Sequence, residues 1–314
     1  VLDYHRNLAI QTRVFNTKVS SERVSGADAS REILKWELND TPGIVSERGM
    51  PPMQDQLAKV QITTMKSWKE VGQWYWQLAK DQLTITDEMR KVILELTKNC
   101  KTQTDKLRAI HDFVIRKIRY LGIEFGRNGY KPHKASETYQ ALYGDCKDTA
   151  TLLAAVLPVV GIDCDLVLIR TINFGAIPAD SLPMPDLFNH CIAHVPNCEG
   201  RDYWIDGTTD FNRLDEVPWN DQGAQTLIVN ADGGRFAQVP VSNSQENLIE
   251  QRFTIKVEKD GSATLAMQDV RHGQFAPGYR QFIETRGQYE RYMKEYAAKR
   301  FNGESIFVFI RTPI

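Results

Sequence analysis

Hydrophobic and polar positions change period several times along this chain. Thr12–Val19 (TRVFNTKV) and Leu57–Thr63 (LAKVQIT) are enriched in β-branched residues and predict strands. Between them, Pro42, Gly43, Gly49, Pro51 and Pro52 punctuate a stretch that predicts loop. Trp68, Trp74 and Trp76 cluster on a predicted helix, where they read as anchors of a core or a domain junction. Over residues 87–119 the apolar spacing turns helical: Leu107, Ile110, Val114 and Ile118 share one face, and Thr104 is the expected N-cap. Residues 122–143, with Gly126, Gly129 and Pro132, predict irregular chain. An apolar helix then runs from Cys146 to about Val159, stopped by Gly161.

Strand patterns follow that helix. Cys164–Thr171 is one, His190–Val195 a second and Asp202–Ile205 a third, with a long loop carrying Pro178, Pro183 and Pro185 between the first two. Arg252–Glu258 and Ala263–Gln268 flank Lys259-Asp260-Gly261-Ser262, a hairpin signal. The last forty residues predict a charged helix and a final strand. No internal repeat or low-complexity tract interrupts the pattern. A chain of 314 residues is long enough for two or three domains and a sizeable core.

Composition removes several function classes. The net charge of −1 argues against a chain whose main task is gripping nucleic-acid phosphates or anionic lipid. The longest apolar candidate, Ala150–Val160, is too short to span a bilayer and contains Pro158, so no transmembrane segment is expected in this chain. The chain opens at Val1 without an initiator Met and ends at Thr312-Pro313-Ile314. It reads as a processed or excised piece, with the N-terminus of the full protein absent. Five cysteines, an odd number with no C-x-x-C pair, form a poor disulfide framework and a poor zinc pattern, and leave at least one free thiol.

The candidate chemistry centres on Cys146. A cysteine attacks as its thiolate, and a helix N-terminus favours the anion through free backbone N–H groups and the helix dipole. Gly144-Asp145-Cys146-Lys147-Asp148 supplies such a terminus, with Asp145 as N-cap and Asp148 three residues on as a capping-box partner. Alone, Cys146 reads more readily as a small buried hydrophobe than as a nucleophile. A nucleophilic thiol also needs a base, and the base an orienting acceptor. His190 starts an apolar strand, and Asp206 ends Tyr203-Trp204-Ile205-Asp206. Strand alternation puts His190 and His194 on the same face, so parity does not separate them.

At these residues the chain resembles the transglutaminase-like superfamily. Tyr143-Gly144-Asp145-Cys146-Lys147-Asp148 with Ala150-Thr151-Leu152-Leu153 is similar to its nucleophile motif. Phe188-Asn189-His190 is similar to its histidine strand, and Trp204-Ile205-Asp206-Gly207-Thr208 to its aspartate strand. Ile118-Arg119-Tyr120, Gly129-Tyr130-Lys131-Pro132 and Ala135-Ser136-Glu137 also resemble bacterial members, so the likeness covers about residues 90–215. The segment before it, with Pro51-Pro52 and Ser67-Trp68, resembles an uncharacterised β-rich domain that often precedes this core in bacterial proteins.

The resemblance implies Cys146 as nucleophile, His190 as base and Asp206 as its orienter. It implies an α+β fold: a papain-like, transglutaminase-like core, with the cysteine helix packed on an antiparallel sheet, flanked by β-rich domains. The corresponding division is 1–85, 86–232 and 233–314, the last segment truncated. The implied activity is thiol-dependent opening of a peptide or isopeptide amide through a Cys146 thioester, hydrolysis being favoured. Amine transfer to protein glutamine, or a binding module retaining the fold, are the alternatives. The implied location is periplasmic or secreted. An oxyanion hole needs a second donor besides the Cys146 N–H; Gln140 and His133 are candidates that no pattern selects between.

Other readings are weaker. His190 and His194 would lie ~13 Å apart along a strand, too far to hold one metal ion. His194 reads as a structural histidine. Lys131, His133 and Lys134 read as a solvated loop, or as part of a cleft beside Cys146. Glu124 and Glu137 lack glycosidase partners, and no phosphate loop or calcium loop is present. The thiol chemistry calls for no metal or cofactor.

Overall fold

A computed structural model of the chain describes residues 1–24, 28–122 and 125–300. These form two compact units: Val1–Asp210 with Val217–Val241, and Phe211–Glu216 with the residues from Ser242 on.

The first unit opens with strands β1 (Leu2–His5), β2 (Gln11–Phe15), β3 (Glu22–Val24) and β4 (Arg31–Lys35), the single turn α1 (Met53–Gln56), and β5 (Lys59–Thr63). β1, β4 and β3 make one antiparallel sheet, and β2 pairs with β5 in another. The tryptophan-bearing helix α2 (Trp68–Ala79) follows, capped by the Ser67 hydroxyl, which accepts from the Glu70 N–H.

The predicted helical stretch at 87–119 is two helices, α3 (Asp87–Thr97) and α4 (Gln103–Lys117). Thr102, not Thr104, caps α4, because Asp105 at the third helical position completes a reciprocal capping box with it. The Thr104 hydroxyl instead donates to Glu199. The short parallel strands β6 (Arg119–Tyr120) and β7 (Tyr143–Gly144) close the next segment, which contains a helix not evident in its composition, α5 (Ala135–Ala141).

The cysteine helix α6 spans Cys146–Val156 and is buried along its whole length. It packs on a five-stranded antiparallel sheet of order β10-β9-β8-β11-β12. These strands are β8 (Asp165–Arg170), β9 (His190–Cys198), β10 (Arg201–Ile205), β11 (Gln225–Asn230) and β12 (Gly233–Gln238). The last two are not among the strands expected from the sequence, although residues 226–229 of β11 form a β-branched and apolar run, and β12 lies past residue 232. On one face Leu166, Leu168, Cys191, Leu227 and Val229 form a core with Val71 and Tyr75 of α2 and with Cys146, Ala150 and Ala154 of α6. On the other face, Val167, Ile169, Ile192, Trp204 and Ile228 form a second cluster. This is the expected α+β core, with a cysteine helix on an antiparallel sheet. Trp68, Trp74 and Trp76 pack against the first cluster as anchors.

The second unit is built on a hairpin of β13 (Ile249–Val257) and β14 (Ala263–Arg271), in register from Ile249 opposite Arg271 to Val257 opposite Ala263. Helices α7 (Ala276–Glu284) and α8 (Arg286–Arg300) follow. Arg280 holds residues 211–216 to this unit through a two-oxygen pair with Glu216 and a bond to the Phe211 carbonyl, all at 2.6 Å. The final strand expected near the C-terminus falls outside the described residues.

Candidate active site

Cys146 sits at the first position of α6, where an interlocked cap holds the helix tip. The Asp145 carboxylate accepts from the Asp148 N–H at 3.2 Å, and the Asp148 carboxylate accepts from the Asp145 N–H at 3.1 Å. Thr149 N–H makes the first helical bond, to the Asp145 carbonyl. The cap leaves the N–H groups of Cys146 and Lys147 at the positive end of the helix dipole. Asp145 is also ion-paired with Lys147, and both side chains are buried. Burial, and then the neighbouring Asp148 charge, raise the Asp145 carboxyl above its ordinary value against the opposing pull of Lys147.

His190 and Asp206 approach this tip from the sheet. Asn189 fixes the entry to β9: its N–H donates to the Ile169 carbonyl at 3.1 Å, and its side chain exchanges bonds with the Thr171 N–H and hydroxyl. Arg170 ties the preceding loop by donating to the carbonyls of Phe174, Gly175 and Leu187. His190 therefore begins the strand in a set orientation. Its Nε2 lies 3.1 Å from the Asp206 carboxylate, and the ring shares a pocket wall with Cys146, near enough for the sulfur to raise its pKa. With Nε2 turned to the carboxylate, Nδ1 is left for the sulfur. Asp206 is held in turn by the N–H and hydroxyl of Thr208, at 2.9 and 2.6 Å. Gly207 lets this strand end close on the cysteine helix, since a Cβ there would stand 2.9 Å from the Thr149 side chain.

A family comparison covers the stretch of chain that carries these residues. The transglutaminase-like superfamily model matches residues 90–206. The solved structure of a candidate protease from Parabacteroides distasonis is similar in fold at a TM-score of 0.59 and 14% identity, over 76% of this chain and 44% of that one. This chain thus spans less than half the length of the Parabacteroides distasonis protein. A candidate cysteine protease from Cytophaga hutchinsonii aligns at 13% identity over 85% of this chain and 79% of its own, with a TM-score of 0.34. Among curated proteins none matches the chain.

Electrostatics in the site set the histidine and aspartate as an ion pair. Burial alone would lower the His190 pKa; the Asp206 charge and hydrogen bond, with the Cys146 sulfur, outweigh it and hold the ring well above its ordinary value. Burial would likewise raise Asp206, and His190⁺ with the two Thr208 donors holds it below its ordinary value instead.

A pocket of about 220 Å³ opens over the thiol, walled by Tyr75, Tyr130, Leu168, Phe188, Asn189 and His190 among others. A larger hollow of about 530 Å³, lined by Ala176, Gly223, Gln225, Phe236, Ala237 and Gln238, holds no titratable side chain.

The oxyanion candidates are not brought to this pocket. His133 gives its N–H and Nδ1 to the two Asp148 oxygens, at 2.8 and 3.1 Å, and its Nε2 meets the Asn128 side chain, so it buttresses the cap of α6. Gln140 is exposed on α5. From the same irregular stretch, Gly129 and Tyr130 do line the pocket. His194 is far from the chemistry by its contacts: its ring packs at a tilt against Trp204, centroids 4.5 Å apart, and lies between Asp165 and Asp202. Asp221, in the loop before β11, is the residue that sequence patterns missed. Its carboxylate groups with His190 and Asp206, their polar atoms all within 4.8 Å of one another. No motif marks Trp219-Asn220-Asp221.

Proposed function

We propose that the chain is a thiol-dependent amide hydrolase acting through a thioester at Cys146. The observation carrying this reading is the Cys146–His190–Asp206 row, with the thiol at a capped helix tip and the imidazole held by a buried carboxylate. His190, as the imidazolium, already holds the thiol proton, and the Cys146 thiolate adds to the amide carbonyl carbon. The resulting oxyanion meets the Cys146 N–H at the helix tip. The C–N bond breaks as His190 returns the proton to the leaving amine, leaving an acyl-thioester. Water then adds to that carbonyl while His190 takes its proton. The C–S bond breaks, the carboxylic acid departs and the thiol is restored. Asp206 keeps the ring oriented and stabilises the imidazolium. A peptide or isopeptide amide is the proposed substrate, in keeping with the candidate-protease name of the Parabacteroides distasonis protein.

The test is a panel of quenched peptide amides, followed by haloacetamide mapping. Cys146 should alkylate faster than Cys100, Cys164, Cys191 or Cys198, all of which are free thiols. Cys146→Ala should lose turnover while melting within a few degrees of wild type. With a labelled primary amine supplied at millimolar concentration, hydrolysis product should at least equal aminated product. Predominant amination would replace hydrolysis with transfer, and undiminished turnover in Cys146→Ala would remove the thiol mechanism.

A further inference from the structure

Asp221 is fully buried, and its Oδ2 meets no hydrogen-bond partner among the described residues. A buried polar atom left unpaired is costly, and each such case calls for a reason. The side-chain amide of Asn220 donates to the other oxygen, Oδ1, at 3.1 Å. That contact marks Oδ1 as the acceptor and Oδ2 as the oxygen that carries a proton when the group is neutral. The charged groups facing Asp221 are Asp206, from the end of β10, and His190, from the start of β9. Asp206 already accepts two bonds from Thr208 on Oδ1 and faces His190 with Oδ2. A carboxylate has about four acceptor positions, so one remains open toward Asp221.

We propose that Asp221 is a positioning residue, whose Oδ2–H closes onto the Asp206 carboxylate and so holds Asp206, and through it the His190 ring, in line with Cys146. The inference rests on the reading of Cys146 and His190 as nucleophile and base. Two carboxylates in one dry site do not both ionise. Burial, then the Asp206 charge, push the Asp221 carboxyl up to about 8, with His190 opposing. Asp221 is thus a neutral donor at pH 7, while Asp206 carries the charge that the imidazolium requires. The same three side chains could group around a cation. However, His190 and Asp206 are already closed on each other at 3.1 Å, and three donors fall short of a closed four-coordinate site.

The test has one arm that needs no substrate and one that reads the thiol. In infrared difference spectra of wild type minus Asp221→Asn at pH 7, the C=O band of a protonated carboxyl should appear. It should fade as the pH passes about 8. Absence of that band overturns the proposal. In the second arm, the pH profile of Cys146 alkylation by iodoacetamide is compared for wild type, Asp221→Asn and Asp221→Leu. Asn retains a donor, so its half-maximal pH should stay within about 0.3 units of wild type. Leu removes the donor and should slow alkylation at pH 6.5 about tenfold. An Asn variant as slow as Leu, or a Leu variant with the wild-type profile, overturns the proposal. Should Leu fail to fold, the infrared band and the Asn profile decide it. Failure of the hydrolase reading is recognised separately: peptide turnover would be missing while the band and both profiles stand as expected.

Discussion

His190 and His194 show how much a single side chain depends on its neighbours. They sit on one strand, on faces of the same parity, yet only His190 meets a thiol and a second-strand carboxylate. His194 is 2% exposed and packed on Trp204. His190→Ala should therefore lower kcat/KM at least about a thousandfold with little change in melting. His194→Ala should keep kcat within a fewfold and cost about 2–4 kcal/mol of stability, as truncation of a packed core ring does. Paired assays and denaturation curves separate the two effects. Asp221 gives a pH-dependent counterpart. Its folded pKa lies above the unfolded value near 3.8, so its favourable contribution is complete below about 3.8 and is lost as the pH rises toward about 8. Asp221→Asn removes this loss. Its unfolding free energy should gain on wild type steadily between pH 4 and pH 8, the difference reaching on the order of a few kcal/mol. A pH-independent difference would contradict a neutral buried acid.

At the scale of elements, the site depends on how closely helices approach the sheet. Helix α2 presses Gly72 against β12, where an added Cβ would fall 2.1 Å from the Gly234 backbone nitrogen. Backbone cannot move aside as a flexible side chain can. Gly72→Ala should thus destabilise the first unit by at least about 2–3 kcal/mol, beyond the usual overpacking of a methyl group against a side chain. Because Tyr75 on the same helix walls the Cys146 pocket, the variant should also show altered KM; urea denaturation and steady-state kinetics report the two. The cysteine helix rests on different forces. Its capping box is legible in Asp145 and Asp148, whereas the tie from His133 to Asp148 joins residues fifteen apart in a loop with no periodic signal.

Across the whole molecule, the two compact units should lose structure separately. All six tryptophans, from Trp36 to Trp219, belong to the first unit. The second unit is a hairpin whose β13 is exposed along its full length, followed by two helices. With so little apolar surface removed from water it should be the weaker of the two. Heating should first reduce far-UV circular dichroism at constant tryptophan fluorescence and constant Cys146 alkylation. The fluorescence change should come in a later step. A single coincident transition would mean that the units unfold together.

The nucleophile helix, its cap, the histidine and aspartate strands and their order along the chain are all local features. Each is written in a few adjacent residues, because capping and strand alternation are short-range physics. Local pattern thus places Cys146 at a helix tip and puts His190 and Asp206 on strands, while the roles of the three are what the family resemblance implies. Strands β11 and β12 were not legible in this way: their place in the sheet comes from pairing with β8 and from α2 packed over them. Nor was the role of His133, or the presence of Asp221, since both depend on contacts between segments far apart in sequence. Strand parity treats His190 and His194 alike, and what sets them apart physically is the tertiary approach of α6 to the start of β9. Distances and burial between such segments arise only when the layers close. The buried Asp221 carboxyl beside Asp206 exists as a chemical group of altered acidity only in that closed, water-poor interior.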